Sequence, residues 1–461
     1  MSPAQSFLTP SQVPQVFVAA DQVTAGAALA MVLLVLAYTS VLIVLSRTRR
    51  RRLPGPEAAD PDLQVIILMP CLNEAKVIRA SVNRLLDIPD RGLHVIVIDD
   101  GSDDGTTGAL AGIRDRRLHV LRRQLPNARK GKGEALNDAL DRVRRASARI
   151  PDSQVVVGIV DADGHLDPWA VKRVRAVFSD PQVGALQLGV RINNRFSSLL
   201  ARMQDMEFVI FTSVFQEGRR YLGSVGMGGN AQFTRLSALN ALGARPWTRS
   251  LTEDFDLGLR LNTTAWRNEY DGTAAVHQQG VTSLKRLVRQ RTRWFQGNLQ
   301  ASNLLTRIAR TGRGLSRLDS IWQILTPYTL LAGTFLVLSF FLSLIEATAV
   351  AWRGEPQSWA WLLGAYLLAA GPALVLGIIY WKVERTQGLS LGRSLWYSHL
   401  FVVYGLIPCV IGWRALGRVL LGRTGWAKTA REAEGPRPAP SPPLAVPPGS
   451  TEVTLDQKAV A

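Results

Sequence analysis

The chain has 461 residues, 47% of them apolar, and its 54 lysines and arginines against 36 aspartates and glutamates leave a net charge of +18. That length allows two or three folding units with a substantial core. Two cysteines, Cys71 and Cys409, exclude a disulfide framework. The basic residues are spread along the chain without a recognisable nucleic-acid module, which argues against nucleic acid and for anionic membrane lipids as the partner.

The apolar residues are clustered. Ala25 to Leu45 carries no charge and is long enough to cross a bilayer. No Lys or Arg precedes it, and Arg47 and Arg49 to Arg52 follow it. It is therefore expected to remain as an anchor, with the basic cluster and the long segment after it in the cytoplasm. Past the linker "RLPGPEAADPD" come runs rich in Val and Ile: "LQVIILMP", "LHVIVIDD", "RLHVLR", "SQVVVGIVDAD" and "VGALQLGV". Such runs, bounded by turn residues, read as buried strands. Helically spaced stretches, Glu74 to Leu86, Gly105 to Arg114 and Gly133 to Ala148, alternate with the first four. Strand, helix, strand in that order predicts an α/β fold with an open parallel sheet and helices on both faces.

From Phe196 the pattern changes. "SSLLARMQDMEFVIFTSVFQEGRR" reads as one long helix, "LGSVGMGGN" as a Gly-rich loop, and "LTEDFDLGLRL" as a loop entering a helix. "SLKRLVRQRTRWFQGNLQASNLL" is a further helix, with arginines between leucines at three- and four-residue spacing. Three more apolar runs follow, Ile324 to Ile345, Trp359 to Trp381 and Leu395 to Trp413, then a Pro-rich tail from Glu432 expected to be disordered. One span plus three would leave the C-terminus outside, yet Arg414, Arg418, Arg423, Lys428 and Arg431 argue for the inside. Pro408 could resolve this by breaking the last run into a re-entrant hairpin.

Parallel α/β sheets bind ligands beyond the carboxyl ends of their strands. Three acidic clusters fall at or near such places: "IDDGSDDGT", "DADG" and "TEDFD". Asp161 and Asp163 flank one alanine and can converge in a turn, giving hard oxygen donors for Mg²⁺ or Mn²⁺ together with a diphosphate. His165 has no companions at zinc spacing. In "RKGKGEALN" the lysines can reach phosphate oxygens, but no Ser or Thr follows as a Walker loop requires. The arginines from Arg286 to Arg293 could snorkel from an interfacial helix or grip an anion. Both hold if Leu284 and Leu287 face the membrane boundary while Gln290, Arg293 and Trp294 face a site.

"DDGS", "GKGEALN", "DAD", "TED" and "QRTRW", in this order, resemble the family 2 glycosyltransferases, above all the membrane-embedded branch of cellulose, hyaluronan and poly-N-acetylglucosamine synthases. The resemblance covers Leu63 to Asn298, the flanking apolar runs and "GWAKTAR" near Arg431. It implies a GT-A-type nucleotide-sugar-binding domain with a parallel-rich sheet, plus α-helical transmembrane spans. The chain would divide into an anchor and basic linker (1–52), a cytoplasmic transferase domain with interfacial helices (53–315), a transmembrane region (316–431) and the tail (432–461).

The same resemblance assigns roles. Asp100, with Asp99, contacts the uridine of a UDP-sugar, and Lys132 lies near the nucleotide. Asp161 binds the nucleotide, and Asp161 with Asp163 holds the metal. Asp254 is the catalytic base of an inverting transfer, with Glu253 on the acceptor side. Gln290 and Arg293 bind the nucleotide-sugar, the arginine helping to hold the diphosphate, and Trp294 forms a floor for the acceptor. The implied reaction adds glucose or N-acetylglucosamine to a growing β-linked polysaccharide at the plasma membrane. The alternative is a glycolipid synthase moving one sugar onto a lipid such as diacylglycerol. Overall resemblance favours the polymer. The few spans, and the absence after Asn298 of a gating motif like that of cellulose synthases, favour the lipid. "AVHQQGVTS" also departs from the acidic residue and proline frequent in these synthases. A degenerate, non-catalytic relative would be expected to lose Asp161, Asp163, Asp254 or Trp294, and all four are present.

Overall fold

The computed structural model describes residues 12–48, 52–353 and 359–423. Arg49 to Arg51, "GWAKTAR" and the Pro-rich tail lie outside them. Helix α1 (Gln12–Arg47) is followed by β1 (Gln64–Cys71), α2 (Ile78–Leu86), β2 (Leu93–Asp99), α3 (Thr106–Ala109), β3 (Leu118–Arg122), α4 (Lys132–Ala146) and β4 (Val155–Ile159). Next come β5 (His165–Leu166), α5 (Ala170–Phe178), β6 (Val183–Ile192), α6 (Leu199–Ile210), α7 (Glu217–Leu222), β7 (Gln232–Arg235), α8 (Leu236–Ala241), α9 (Glu253–Leu261) and β8 (Arg267–Gln278). Helices α10 (Leu284–Gln300), α11 (Leu305–Thr311), α12 (Gly314–Trp352), α13 (Trp359–Glu384), α14 (Leu391–Tyr404) and α15 (Ile407–Leu420) complete it.

The eight strands form one sheet in the order β3-β2-β1-β4-β7-β6-β8-β5. Its first four strands are parallel, and β1 and β4 are buried along nearly their whole length, as Val/Ile-rich strands covered on both faces must be. The second half departs from the all-parallel expectation. Strand β7 runs antiparallel to both β4 and β6, β8 is parallel to β6, and β5 is antiparallel to β8. Strands β7 ("QFTR") and β8 ("RNEYDGTAAVHQ") lack an apolar run. Several of their buried polar groups have specific partners, such as Arg235 on the Val183 and Phe178 carbonyls and Asp271 on Arg173, so hydrophobic periodicity does not reveal them.

Two predicted helices are shorter than expected. The stretch Gly105 to Arg114 holds one helical turn, α3. Helix α2 begins only at Ile78 because the backbone before it is bound elsewhere: Asn73 N–H donates to Ser102 Oγ at 3.0 Å, Glu74 N–H to Thr106 Oγ1 at 2.8 Å and Ala75 N–H to Asp104 Oδ2 at 3.1 Å. The polar side chains of "GSDDGT" thus tie the exit of β1 to the exit of β2. The long helix expected over 197–220 is interrupted by a π-helical segment, Phe211–Gln216. π-Bulges are common at functional sites.

Four stretches are long and apolar enough to cross a membrane: Leu29–Arg47, Gly314–Val350, Leu362–Gln387 and Leu391–Leu420. The first is bolted to the sheet domain by a polar triad, in which Tyr38 Oη donates to Asp319 Oδ1 at 2.7 Å and Arg219 reaches both. The last is broken at Gly405 and Leu406 into α14 and α15, each of 14 residues. At 1.5 Å per residue each is about 21 Å long, short of the roughly 30 Å hydrocarbon core. Helix α14 packs on α13, where Gly377 lets Ser394 and Ser398 approach. Helix α15 packs on α10 through Phe295, Leu299, Ile411 and Ala415. Gln296 of α10 accepts from Arg418 Nε at 2.8 Å and donates to the Arg423 carbonyl at 2.7 Å. These contacts hold Arg423, just past the end of α15, against α10. The expected break in the last run falls at Gly405 and Leu406, just before Pro408.

Candidate active site

The carboxyl ends of β1, β2 and β4 come level because their registers align, with Cys71 opposite Asp99 and Leu68 opposite Ile159. A cavity of about 500 Å³ opens along this edge, a volume typical of small-molecule sites. Asp100 lines it, buried and accepting from the Arg129 N–H at 3.0 Å and from Arg123. Burial pushes its carboxyl upward from the ordinary range, against the pull of those donors. Asp99 does not line the cavity. Its carboxylate is turned into the loop, accepting from Ser102 N–H at 2.8 Å and from the Thr107 hydroxyl, so it shapes the turn that presents Asp100.

Asp161 and Asp163 occupy the turn after β4 and both line the cavity. Asp163 is buried and accepts from Gln279 N–H at 3.1 Å. Asp161 accepts from Lys132 Nζ at 2.8 Å. Lys132, the first residue of α4, also donates to the Gly229 carbonyl at 3.0 Å and lies 3.7 Å from Glu253 Oε1. Burial opposes its charge, but Asp161, Glu253 and Asp254 outweigh that and raise its pKa.

Glu253 and Asp254 begin α9. Burial lifts Glu253 to about 7 against the pull of Lys132, with Asp254 pushing the same way as burial. Burial likewise raises Asp254. The Asp254 carboxylate accepts from the adjacent Phe255 N–H at 2.9 Å through Oδ1 and lines the cavity. Asp256, in the same motif, is structural and pairs with Arg260 at 2.7 Å. The Gly-rich loop frames this carboxylate. Gly229 has a φ of +75°, and a Cβ there would stand 2.4 Å from Asp254 Oδ2. Gln216, in the π segment, braces the Gly-rich loop by donating to the Gly226 carbonyl at 2.8 Å and accepting from its N–H at 3.1 Å.

Helix α10 closes the cavity opposite the sheet. Gly297 permits this, since a Cβ there would sit 2.5 Å from Thr252 Oγ1. Gln290, Arg293 and Trp294 all line the cavity, as does Arg291. Leu284 and Arg286 are exposed on the other side, whereas Leu287, expected at the membrane boundary, is fully buried.

Three residues at this site carry no motif signal. Glu207 of α6 takes both Arg291 amino groups, at 2.8 and 2.7 Å, and accepts from Tyr404 Oη at 2.7 Å. Arg291 then stacks over the Trp294 ring at 4.3 Å, and Phe208 meets that ring edge-on at 6.4 Å between centroids. A glutamate inside an apolar helical stretch was the one available hint. Phe208, Phe211, Pro327 and Leu330 also line the cavity.

Residues 61–297 match the family described as "Glycosyltransferase like family 2". The chain belongs to this family. A β-monoglucosyldiacylglycerol synthase of Synechocystis sp. is 33% identical over 254 residues, which cover 54% of this chain and 50% of that protein. A poly-β-1,6-N-acetyl-D-glucosamine synthase of Staphylococcus aureus is 27% identical over 236 residues, covering 50% of this chain and 54% of that protein. The chain thus spans about half the length of the curated relatives it matches. A mannosyltransferase from Pyrobaculum calidifontis, solved with GDP-Man and Mn²⁺, superposes with a TM-score of 0.56 at 18% identity, over 87% of this chain and 97% of that one. This glycosyltransferase 2 chain therefore has a GT-A fold joined to apolar helices that fit a membrane.

Proposed function

We propose that the protein is an inverting hexosyltransferase that moves one sugar, glucose or N-acetylglucosamine, from a UDP-sugar to the hydroxyl of a membrane lipid of the diacylglycerol class. The observation that carries this reading is the wall of the cavity. Asp254 and Trp294 line it together with Phe211, which is 40% exposed, and Leu330, which is 46% exposed and lies in the stretch Gly314–Val350 that is long and apolar enough to cross a bilayer. A lipid can thus lie in its own phase with its hydroxyl at the base. The 33% identity with a glucosyldiacylglycerol synthase supports the same acceptor.

The donor set fits a divalent metal. Asp100, Asp161, Asp163, Glu253 and Asp254 crowd one cavity around Lys132, so a diphosphate would meet net negative charge unless a hard cation accompanied it. Asp161 and Asp163 would hold Mg²⁺ or Mn²⁺, which would supply charge neutralisation for the departing diphosphate. Asp100 contacts the base of the nucleotide, and Lys132, Gln290 and Arg293 orient its phosphates. The acceptor oxygen attacks the anomeric carbon from the face opposite UDP, the bond from that carbon to the phosphate oxygen breaks, and the hydroxyl proton passes to Asp254. Trp294 stacks on the acceptor side and excludes water. The transferase domain faces the cytoplasm of the plasma membrane, as the basic residues after the first span favour.

A second reading, extension of a β-linked polysaccharide, is favoured by the 27% identity with a poly-N-acetylglucosamine synthase. Full-length protein in lipid nanodiscs containing diacylglycerol, given Mg²⁺ or Mn²⁺ and radiolabelled UDP-sugars, separates the two. Label in the organic phase is the expected result. Label in a water-soluble polymer of high molecular weight would replace the lipid reading with the polymer.

A further inference from the structure

A second cavity, of about 260 Å³, lies away from the transfer site, where the start of α6, the turn after α13 and the first turn of α14 meet. Arg195, Arg202 and Arg393 line it together with Phe196, Leu199 and Tyr397. Beneath it three buried arginines, Arg191, Arg195 and Arg202, share two buried carboxylates, Asp205 and Glu384. Glu384 accepts from Arg195 Nε and from Arg202 Nη1, each at 3.2 Å, and from Arg191. Asp205 accepts from Arg191 Nε at 3.3 Å and from Tyr380 Oη at 2.9 Å.

Cations therefore outnumber anions in this buried cluster. Arg202 is 5% exposed, and its Nε is buried with no hydrogen-bond partner among the described residues. Its guanidinium sits among the rings of Phe196, Tyr380 and Tyr397, 5.2, 5.1 and 5.6 Å from their centroids. A purely structural role, fastening the end of α13 to β6 and α6, accounts for Glu384. It leaves the surplus positive charge and the exposed Arg393 without a purpose, and uncompensated buried charge is costly. The N-terminal ends of α6 and α14, helices of 12 and 14 residues, also lie in the cavity wall and add positive potential.

The location narrows the ligand. Glu384 ends α13, inside the stretch Leu362–Gln387 that is long enough to cross a bilayer, so the cavity sits at a membrane surface. Phe196, 70% exposed, and Leu199, 50% exposed, give it an apolar lip beside the arginines. We propose that this cavity binds a phosphate group, carried by the headgroup of an anionic phospholipid or free as inorganic phosphate.

The test uses full-length protein, delipidated in detergent, with binding read by native mass spectrometry and by thermal shift. The ligands are phosphatidylglycerol, inorganic phosphate and zwitterionic phosphatidylcholine as the blank. Phosphatidylglycerol should bind more tightly than phosphatidylcholine, and Arg393→Glu should weaken it about tenfold, consistent with the contribution of one basic residue at a lipid surface plus a reversed charge. Arg202→Gln should weaken it similarly, and UDP binding by both variants reports that the transferase domain is intact. Because Arg393 is exposed, its variant stays informative if Arg202→Gln does not fold. Arg393-dependent binding of phosphate equal to that of phosphatidylglycerol assigns the site to free phosphate, and Arg393-dependent binding of phosphatidylglycerol alone assigns it to lipid. Affinities for both that are the same in wild type and Arg393→Glu overturn the proposal.

Discussion

Asp254 is placed by what surrounds it more than by any bond it makes. The Phe255 N–H holds one oxygen, Gly229 clears space for the other, and Lys132 sits across the cavity. If Asp254 takes the acceptor proton, Asp254→Asn should lower kcat by about 10²- to 10⁴-fold while UDP affinity changes little, which single-turnover assays and calorimetry would separate. Near-normal turnover would remove it as the base. Gly229→Ala forces a Cβ into the Asp254 carboxylate at a positive φ. A displacement of that size should cost about 10²-fold in kcat with the protein still folded. The pH dependence follows from burial, which raises Asp254 and carries its neighbour Glu253 to about 7. A base works deprotonated, so a raised pKa means activity is lost, as pH falls, at a higher pH than an exposed aspartate would give. The acid limb of kcat/KM measures this, and a limb at the ordinary carboxylate value would contradict it.

Helix α10 carries the two kinds of arginine that its sequence leaves mixed. Arg286 and Arg289 are exposed, while Arg291 and Arg293 line the cavity, a division set by helical period and so visible in the spacing. The motif residues at strand ends and helix starts were legible for the same reason: local rules put Asp100, Asp161, Lys132 and Asp254 at one sheet edge. Asp99 was not, since neighbours in a turn point apart and only the Ser102 and Thr107 contacts decide which is inward. Nor was the brace behind Trp294, because Glu207 and Tyr404 are distant in sequence from Arg291 and from each other. Arg291 spans that gap, so Arg291→Ala should unseat the indole, raising the acceptor KM about tenfold on the scale of a partly buried cation–π contact. UDP affinity should hold. An equal loss in donor and acceptor KM would instead make Arg291 part of the nucleotide site.

Across the whole molecule the sheet's first half and the apolar stretches could be read from periodicity and length, but the number of crossings could not. Hydropathy treats 391–420 as one run, whereas the break at Gly405 and the docking of α15 on α10 are tertiary facts. The positive residues near the end already pointed to the side of the transferase domain, and Gln296 binding the Arg423 carbonyl agrees with them. This predicts that the two ends of the α14–α15 pair share one side of the membrane with the sheet. In a background of Cys71→Ser and Cys409→Ala, single cysteines replacing the exposed Leu421 and the exposed Arg116 should behave alike in sealed vesicles of one orientation. A membrane-impermeant thiol reagent should label both in one orientation and neither in the other. If one position is labelled while the other is protected, α14 and α15 cross the bilayer as a single span and the packing of α15 on α10 is wrong.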